Sequence, residues 1–171
     1  MNGNILFVEL NMFFLEGQWN MISRFEHFTV ANNEINKFLR KLLSSEMKKH
    51  GLRSSHAVYF TFLANNTESG LTATQLCELS GRDKADVSRM LALMEKRGMV
   101  IKENVHHNLY NGVFKLTEKG LDIANVVKER MAKASEIAGK GLSEEARNNF
   151  YNALDSVVSN LRELTRKGIL E

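Results

Sequence analysis

The clearest hydrophobic pattern in this chain lies between residues 83 and 97, where apolar residues recur every three or four positions. They fall on one side of the helix that this spacing predicts, namely Val87, Met90, Leu91 and Met94. The opposite side carries small and basic residues, namely Arg82, Ala85, Arg89, Ala92 and Lys96, with Lys84 and Ser88 on its flanks. We therefore expect a helix that buries its apolar stripe and leaves a basic side in solvent.

A shorter helix is predicted just before it. Thr72 and Gln75 have the spacing of a capping box, in which each side chain bonds to the backbone N–H of the other residue. The expected core side of this helix consists of Leu76 and Leu79. Ser80 and Gly81 supply a tight turn, and Asp83 is placed to cap the next helix. Two helices joined by so short a turn are typical of a DNA-docking unit.

Two short strands follow the second helix, which we expect to end at Gly98. Residues 99–102 and 113–116 are rich in β-branched and aromatic side chains, and Asn111 with Gly112 supplies a turn between them. The order of helix, turn, helix and hairpin predicts a winged helix-turn-helix. The alternative for the basic side of a single helix is an ordinary solvated surface, but the preceding helix and turn favour DNA binding.

The segments on either side of this unit predict long amphipathic helices. Apolar residues recur at helical spacing from Phe25 to Met47, and two further helices are expected after Thr117 and Ser143. Because the winged unit closes its own core, their apolar faces are expected to meet a second subunit. The expected fold class is mainly α with a small β-hairpin wing. The expected divisions are an N-terminal extension of uncertain role, a dimerisation or scaffold helix, the winged domain and C-terminal dimerisation helices, at residues 1–20, 21–51, 52–120 and 121–171.

Three runs of residues resemble the MarR (multiple antibiotic resistance regulator) family. They are LSGRDKADVSR at 79–89, LMEKRGMV at 93–100 and LTEKG at 116–120. The resemblance covers roughly residues 22–165, and its specific part lies within residues 72–120. It implies a homodimeric winged-helix transcription regulator that binds double-stranded DNA, in the commoner case as a repressor released by a small molecule.

The candidate DNA contacts follow from both the residues and the resemblance. On the predicted recognition helix they are Arg82, Lys84, Ala85, Ser88 and Arg89, and in the wing they are Lys102, His106, His107 and Tyr110. By analogy with the family, Ser55 and His56 could face a phosphate. Residues 53–56 are expected to open a helix that runs to about Leu63, with Ser54 or Ser55 as its cap. The alternative for Ser55 and His56 is therefore a plain capping serine beside an exposed histidine.

The wing departs from the family pattern. Many members carry an Asp-x-Arg motif there, whereas the matching positions in this chain are Asn108, Leu109 and Tyr110. We therefore expect a weaker contribution of the wing tip to DNA binding. The missing arginine also keeps open an alternative function, a winged-helix module for protein contacts with little specific affinity for DNA.

Composition narrows the other functional classes. The net charge of +3 over 171 residues is too small to diagnose a nucleic-acid partner by itself. The chain has a single cysteine, Cys77, which favours a reducing compartment, and the apolar stretch near the start is too short for a membrane span. We expect a cytoplasmic protein without a membrane partner.

No phosphate-binding loop, dinucleotide motif, nucleophile elbow or paired metal ligands occur in the sequence. Neither an enzyme nor a cofactor or metal is therefore predicted.

Overall fold

The chain divides into two compact units, Met1–Ser55 and His56–Glu171. Within them, the computed structural model describes residues 21–104 and 112–166. Its six α-helices in these ranges are α1 (Met21–Lys49), α2 (Ala57–Ala64), α3 (Ala73–Ser80), α4 (Lys84–Lys96), α5 (Glu118–Ala138) and α6 (Glu144–Arg166). The three strands are β1 (Leu71–Thr72), β2 (Val100–Glu103) and β3 (Val113–Leu116). The predicted fold class, mainly α with a small wing, is confirmed.

In the part that the structure describes, the first unit consists chiefly of α1, a single helix of 29 residues. Its C-terminal part contains the buried side chains of Leu43 and Met47, whereas its exposed large apolar residues include Ile35 and Phe38. The long helix predicted from residues 25–47 is therefore confirmed. Helix α1 also leaves several large apolar side chains in contact with solvent.

The predicted serine cap of the following helix is wrong. Residues 54–56 form a turn of 3-10 helix, and the residue at the N-cap of α2 is His56, whose side chain makes no capping hydrogen bond. A side-chain cap needs an extended backbone at the N-cap. His56 has helical angles instead, with φ −84° and ψ −14°, because the chain is already wound when α2 begins.

The second unit has its core between the short helices, the sheet and α5. Helix α2 packs against α3, α5 and β3, while α4 packs against α3 and β2. The large side chains that this packing removes almost completely from solvent are Tyr59, Phe60, Leu63, Leu76, Val87, Met94, Met99, Val100 and Val127. They come from every helix of the unit except α6, so the winged part closes a core of its own.

A three-stranded antiparallel sheet forms the base of the wing. Its strand order is β1-β3-β2, with Leu71 opposite Phe114 and Val100 opposite Leu116. The two predicted strands are confirmed, each within one residue. The third strand, β1, was not predicted, because two residues directly before a helix cap are too short for a recognisable alternation.

The predicted starts of α3, α5 and α6 are confirmed by their hydrogen bonds. Thr72 and Gln75 form the reciprocal capping box of α3, and the Thr117 hydroxyl accepts the N–H of Gly120 at 3.1 Å. Ser143 accepts the N–H of Ala146 at 3.1 Å at the start of α6. Among the helices within the described ranges, none combines the length and the apolar character that crossing a membrane requires.

Candidate nucleic-acid interface

Helix α4 divides into a buried side and an exposed side as the sequence predicts. Val87, Met90, Leu91 and Met94 are all buried in the second unit. The opposite side is exposed over five of the candidate DNA contacts, which together are called the α4 surface: Arg82, Lys84, Ala85, Ser88 and Arg89. The Arg89 side chain has 71% of its surface accessible, compared with 45% for the Arg82 side chain. The α4 surface therefore presents two guanidinium groups, an ammonium group and a hydroxyl around a small residue.

The start of α4 is held in place by the turn that precedes it. Gly81 ends α3 in the left-handed conformation, with φ 64°, which an L side chain adopts only at a cost. Two residues later Asp83 is extended, with ψ 157°, and its carboxylate accepts the N–H of Asp86 at 2.8 Å. This turn fixes the angle at which α4 leaves α3.

An acidic residue lies between the two arginines of the α4 surface. The Asp86 carboxylate accepts a hydrogen bond from Arg82 Nη1 at 2.7 Å, and its other oxygen lies 3.5 Å from Arg89 Nη2. The hydrogen bond from Arg82 is the main cause that lowers the pKa of Asp86. Desolvation acts in the opposite direction, while the charges of Arg82 and Arg89 and a hydrogen bond from Arg89 lower the pKa further. Asp86 is thus an anion at neutral pH.

The far end of α4 is tied to the start of α5. The Thr117 hydroxyl donates to the carbonyl oxygen of Gly98 at 2.7 Å, and the Lys119 ammonium donates to the carbonyl oxygen of Arg97 at 2.8 Å. Gly120 lies so close to this end that a Cβ there would overlap the carbonyl oxygen of Met99. The sequence predicts Thr117 as a cap but gives no sign of this second contact. The contact joins α4 to α5, the helix that leads out of the winged part.

The wing is described only at its base. Lys102 is exposed on β2, and the Lys115 ammonium lies 2.8 Å from the Glu103 carboxylate across the hairpin. The other candidate wing contacts, His106, His107 and Tyr110, lie outside the described residues. Of the wing candidates, the structure therefore locates Lys102 alone.

Ser55 and His56 are both half-buried on the 3-10 turn before α2. Ser55 is the last residue of the first unit, and His56 is the first residue of the second. Neither residue is counted as part of the α4 surface. Within the described ranges, no three or more His, Cys, Asp or Glu side chains gather into a group that could hold a metal ion.

Helices α3 and α4 are joined by a left-handed turn, α4 has a basic exposed side, and a hairpin follows it. These features define the class of this protein: it has the winged helix-turn-helix fold. Residues 50–107 match the model of the MarR family. No curated protein matches the chain at a significant level.

Solved structures of MarR proteins share the fold. A MarR family transcriptional regulator from Listeria monocytogenes, crystallised with a 26mer DNA, is similar at 23% identity and a TM-score of 0.73, over 84% of this chain and 96% of that one. A MarR transcriptional regulator from Methanosarcina mazei Go1 is similar at 18% identity and a TM-score of 0.72, over 86% and 95%. MepR of S. aureus, crystallised with DNA, is similar at 14% identity and a TM-score of 0.67, over 78% and 97%. The resemblance to the MarR family is confirmed.

Proposed function

We propose that this protein is a DNA-binding transcription regulator whose α4 surface enters the major groove. The observation that carries the proposal is the exposure of the whole basic side of α4 while its apolar stripe is buried. Ala85 lets the helix backbone approach the floor of the groove, where Arg89 and Arg82 can donate to guanine and Ser88 can bond to several bases. Two proteins of similar fold were crystallised with DNA, which supports the same partner.

The remaining candidate residues would contact the DNA backbone. Lys84 and Lys102 carry charges that suit phosphate, and a wing in contact with the duplex would extend the interface beyond one groove. We assign the same role to His106, His107 and Tyr110, and to Ser55 with His56. Since phosphate contacts carry no sequence information, these residues set affinity and register, while the α4 surface sets specificity.

We also propose that the protein acts as a homodimer. Helix α6 carries an apolar stripe, called the α6 face: Phe150, Leu154, Val157, Val158, Leu161 and Leu164. None of these side chains is buried, although α6 lies wholly within the described part of the chain. A second copy that covered the α6 face would hold two recognition helices on one side of a duplex. Half-sites of a pseudo-palindromic operator would then lie about one helical turn apart.

Repression, and its release by a small molecule, complete the proposal. A ligand can weaken operator binding only if it favours an arrangement of the two recognition helices that DNA disfavours. Such a ligand would change the distance between the two copies of α4.

The test of DNA binding begins with a duplex selected by the protein from a random pool. We expect tighter binding to this duplex than to a scrambled one of equal composition, with a steep salt dependence in fluorescence anisotropy. Arg89→Ala should weaken binding to the selected duplex by roughly tenfold or more. Lys128→Ala, which removes an exposed charge from α5, is the matched control and should change it by less than about twofold.

The outcomes separate the two candidate functions. Equal and weak binding of both duplexes would contradict the regulator and favour a winged-helix module for protein contacts, which is consistent with the absence of the wing arginine. Discriminating binding that Arg89→Ala leaves unchanged would support a regulator but would remove Arg89 from its interface.

A further inference from the structure

A negative charge, that of Asp86, lies between the two arginines of the α4 surface. Asp86 lies four residues after Arg82 and three before Arg89, so the three side chains share one side of the helix start. One carboxylate oxygen accepts from Arg82 Nη1 at 2.7 Å, and the other lies 3.5 Å from Arg89 Nη2. A single carboxylate thus holds both guanidinium groups that the proposed function directs to DNA bases.

Helix stability alone explains this arrangement poorly. An acid in the first turn does suit the helix dipole, but Asp83 already caps the same helix and supplies a negative charge there. Ion pairs between groups as exposed as these add little to stability because water screens them. The carboxylate also opposes the approach of a polyanion, since it offsets part of the positive charge that attracts phosphate.

A carboxylate that lowers the affinity for DNA in general can still improve discrimination. It does so if it lowers the affinity for the recognised sequence less than the affinity for other sequences. Free arginine side chains can reach many phosphates, which raises binding to every duplex alike. A guanidinium that is held by a carboxylate is already ordered, so less freedom is lost when it meets a base edge of matching geometry. Away from that sequence, the arginines must leave the carboxylate to reach phosphate.

We infer that Asp86 is a specificity-determining positioning residue, which holds Arg82 and Arg89 for base recognition and suppresses binding through phosphates alone. The inference rests on the proposed function. The lowered pKa of Asp86 agrees with it, because the carboxylate keeps its charge throughout the pH range in which the protein would bind DNA.

The test uses the full chain, a duplex selected by the wild-type protein from a random pool, and a scrambled duplex. Asp86→Asn keeps the shape of the side chain and removes its charge. We expect its affinity for the scrambled duplex to rise severalfold, and the ratio of selected to scrambled affinity to fall about tenfold. For the scrambled duplex, the slope of log affinity against log salt should steepen by up to about 0.9.

The matched control is Asp83→Asn, which removes a negative charge three residues away on the same helix. Asparagine caps helices as well as aspartate does, and the contacts of Asp86 with the arginines remain. We expect Asp83→Asn to raise the affinity for both duplexes alike, so that their ratio stays within about twofold. Thermal melting of both variants should resemble that of the wild type.

A second selection provides a readout that a merely structural role of Asp86 would not change. Sequences selected by Asp86→Asn should be more degenerate than those selected by the wild type, whereas Asp83→Asn should return the same motif. If Asp86→Asn matches Asp83→Asn in both the ratio and the motif, the inference is overturned while the proposed function stands. If the wild type itself does not discriminate between the duplexes, the proposed function fails and this inference fails with it.

Discussion

Helices α4 and α6 are both amphipathic, but their apolar sides have different surroundings. In α4 every member of the apolar stripe is buried within its own unit. In α6, which the structure describes in full, no residue is buried, and large side chains such as Phe150 and Val158 are exposed. Helical periodicity therefore indicates which side of a helix is apolar, but not whether that side is covered by the same chain.

The largest expected effect concerns the α6 face. The double variant Val158→Asp/Leu161→Asp should convert the proposed dimer to a monomer, because a buried subunit interface would then hold charges without partners. Sedimentation equilibrium should give half the mass of the wild type, while far-ultraviolet circular dichroism should remain that of a folded helical protein.

The control for this variant places the same charges on the opposite side of α6. Asn152→Asp/Ser159→Asp changes residues that are exposed and lie away from the apolar stripe. Its mass should equal that of the wild type. A wild-type protein that is monomeric at every concentration tested would contradict the interface.

Substitutions in the buried stripe of α4 should change the stability of the fold rather than the assembly of two copies. Met94 is completely removed from solvent, so Met94→Ala should lower the free energy of unfolding by about 2–5 kcal/mol. The exposed Ser88→Ala on the same helix should change it by no more than about 0.5 kcal/mol. Urea unfolding at one protein concentration measures both, since the stability of the proposed dimer would depend on concentration. A loss below about 1 kcal/mol for Met94→Ala would argue against the described packing.

Substitutions at the junction of α4 with α5 should have a smaller effect on stability, and the effect tests a single close contact. Gly120→Ala should destabilise the protein by about 1–3 kcal/mol, because the added methyl group would overlap the carbonyl oxygen of Met99. Gly98→Ala meets no atom within 4 Å and pays only for its left-handed backbone, with φ 66°. That cost is about 1–2 kcal/mol, so Gly120→Ala should be at least as harmful in thermal melting. A neutral Gly120→Ala would mean that the two helices lie farther apart.

The smallest effect is a change in titration on the α4 surface. The hydrogen bond from Arg82 lowers the pKa of Asp86, so Arg82→Ala should raise it toward its ordinary value in an NMR titration of the carboxyl group. Because the folded-state pKa is the lower one, the stabilising contribution is present above the ordinary pKa and is lost as the pH falls through the lowered value. An unchanged titration in Arg82→Ala would show that the ion pair does not form in solution.

The winged part could be predicted from the sequence because its signals are local. The caps at Thr72 and Asp83, the turn at Gly81 and the apolar stripe of α4 each depend on residues a few positions apart. Strand β1 is different, since its two residues acquire their structure only by pairing with β3, more than forty positions away. No local pattern carries that information.

The limits of local patterns also explain the errors in detail. Leu79 was expected in the core, yet 49% of its surface is exposed, because it lies in the last turn of a two-turn helix whose buried contact is Leu76. The serine cap before α2 is missing because the chain is already wound in a 3-10 turn. The Asp86 contacts follow helical spacing, but spacing alone does not show whether an acid in the first turn serves the helix dipole or pairs with the flanking arginines.

The most direct test of the account is the mass of the complex between the wild-type protein and a duplex that it selects from a random pool. If α4 reads DNA while the α6 face joins two copies, sedimentation equilibrium should find two protomers on each duplex, and Val158→Asp/Leu161→Asp should lose tight binding although its α4 surface is intact. A single protomer bound to each duplex, with discrimination against scrambled DNA as strong in the double variant as in the wild type, would contradict the account.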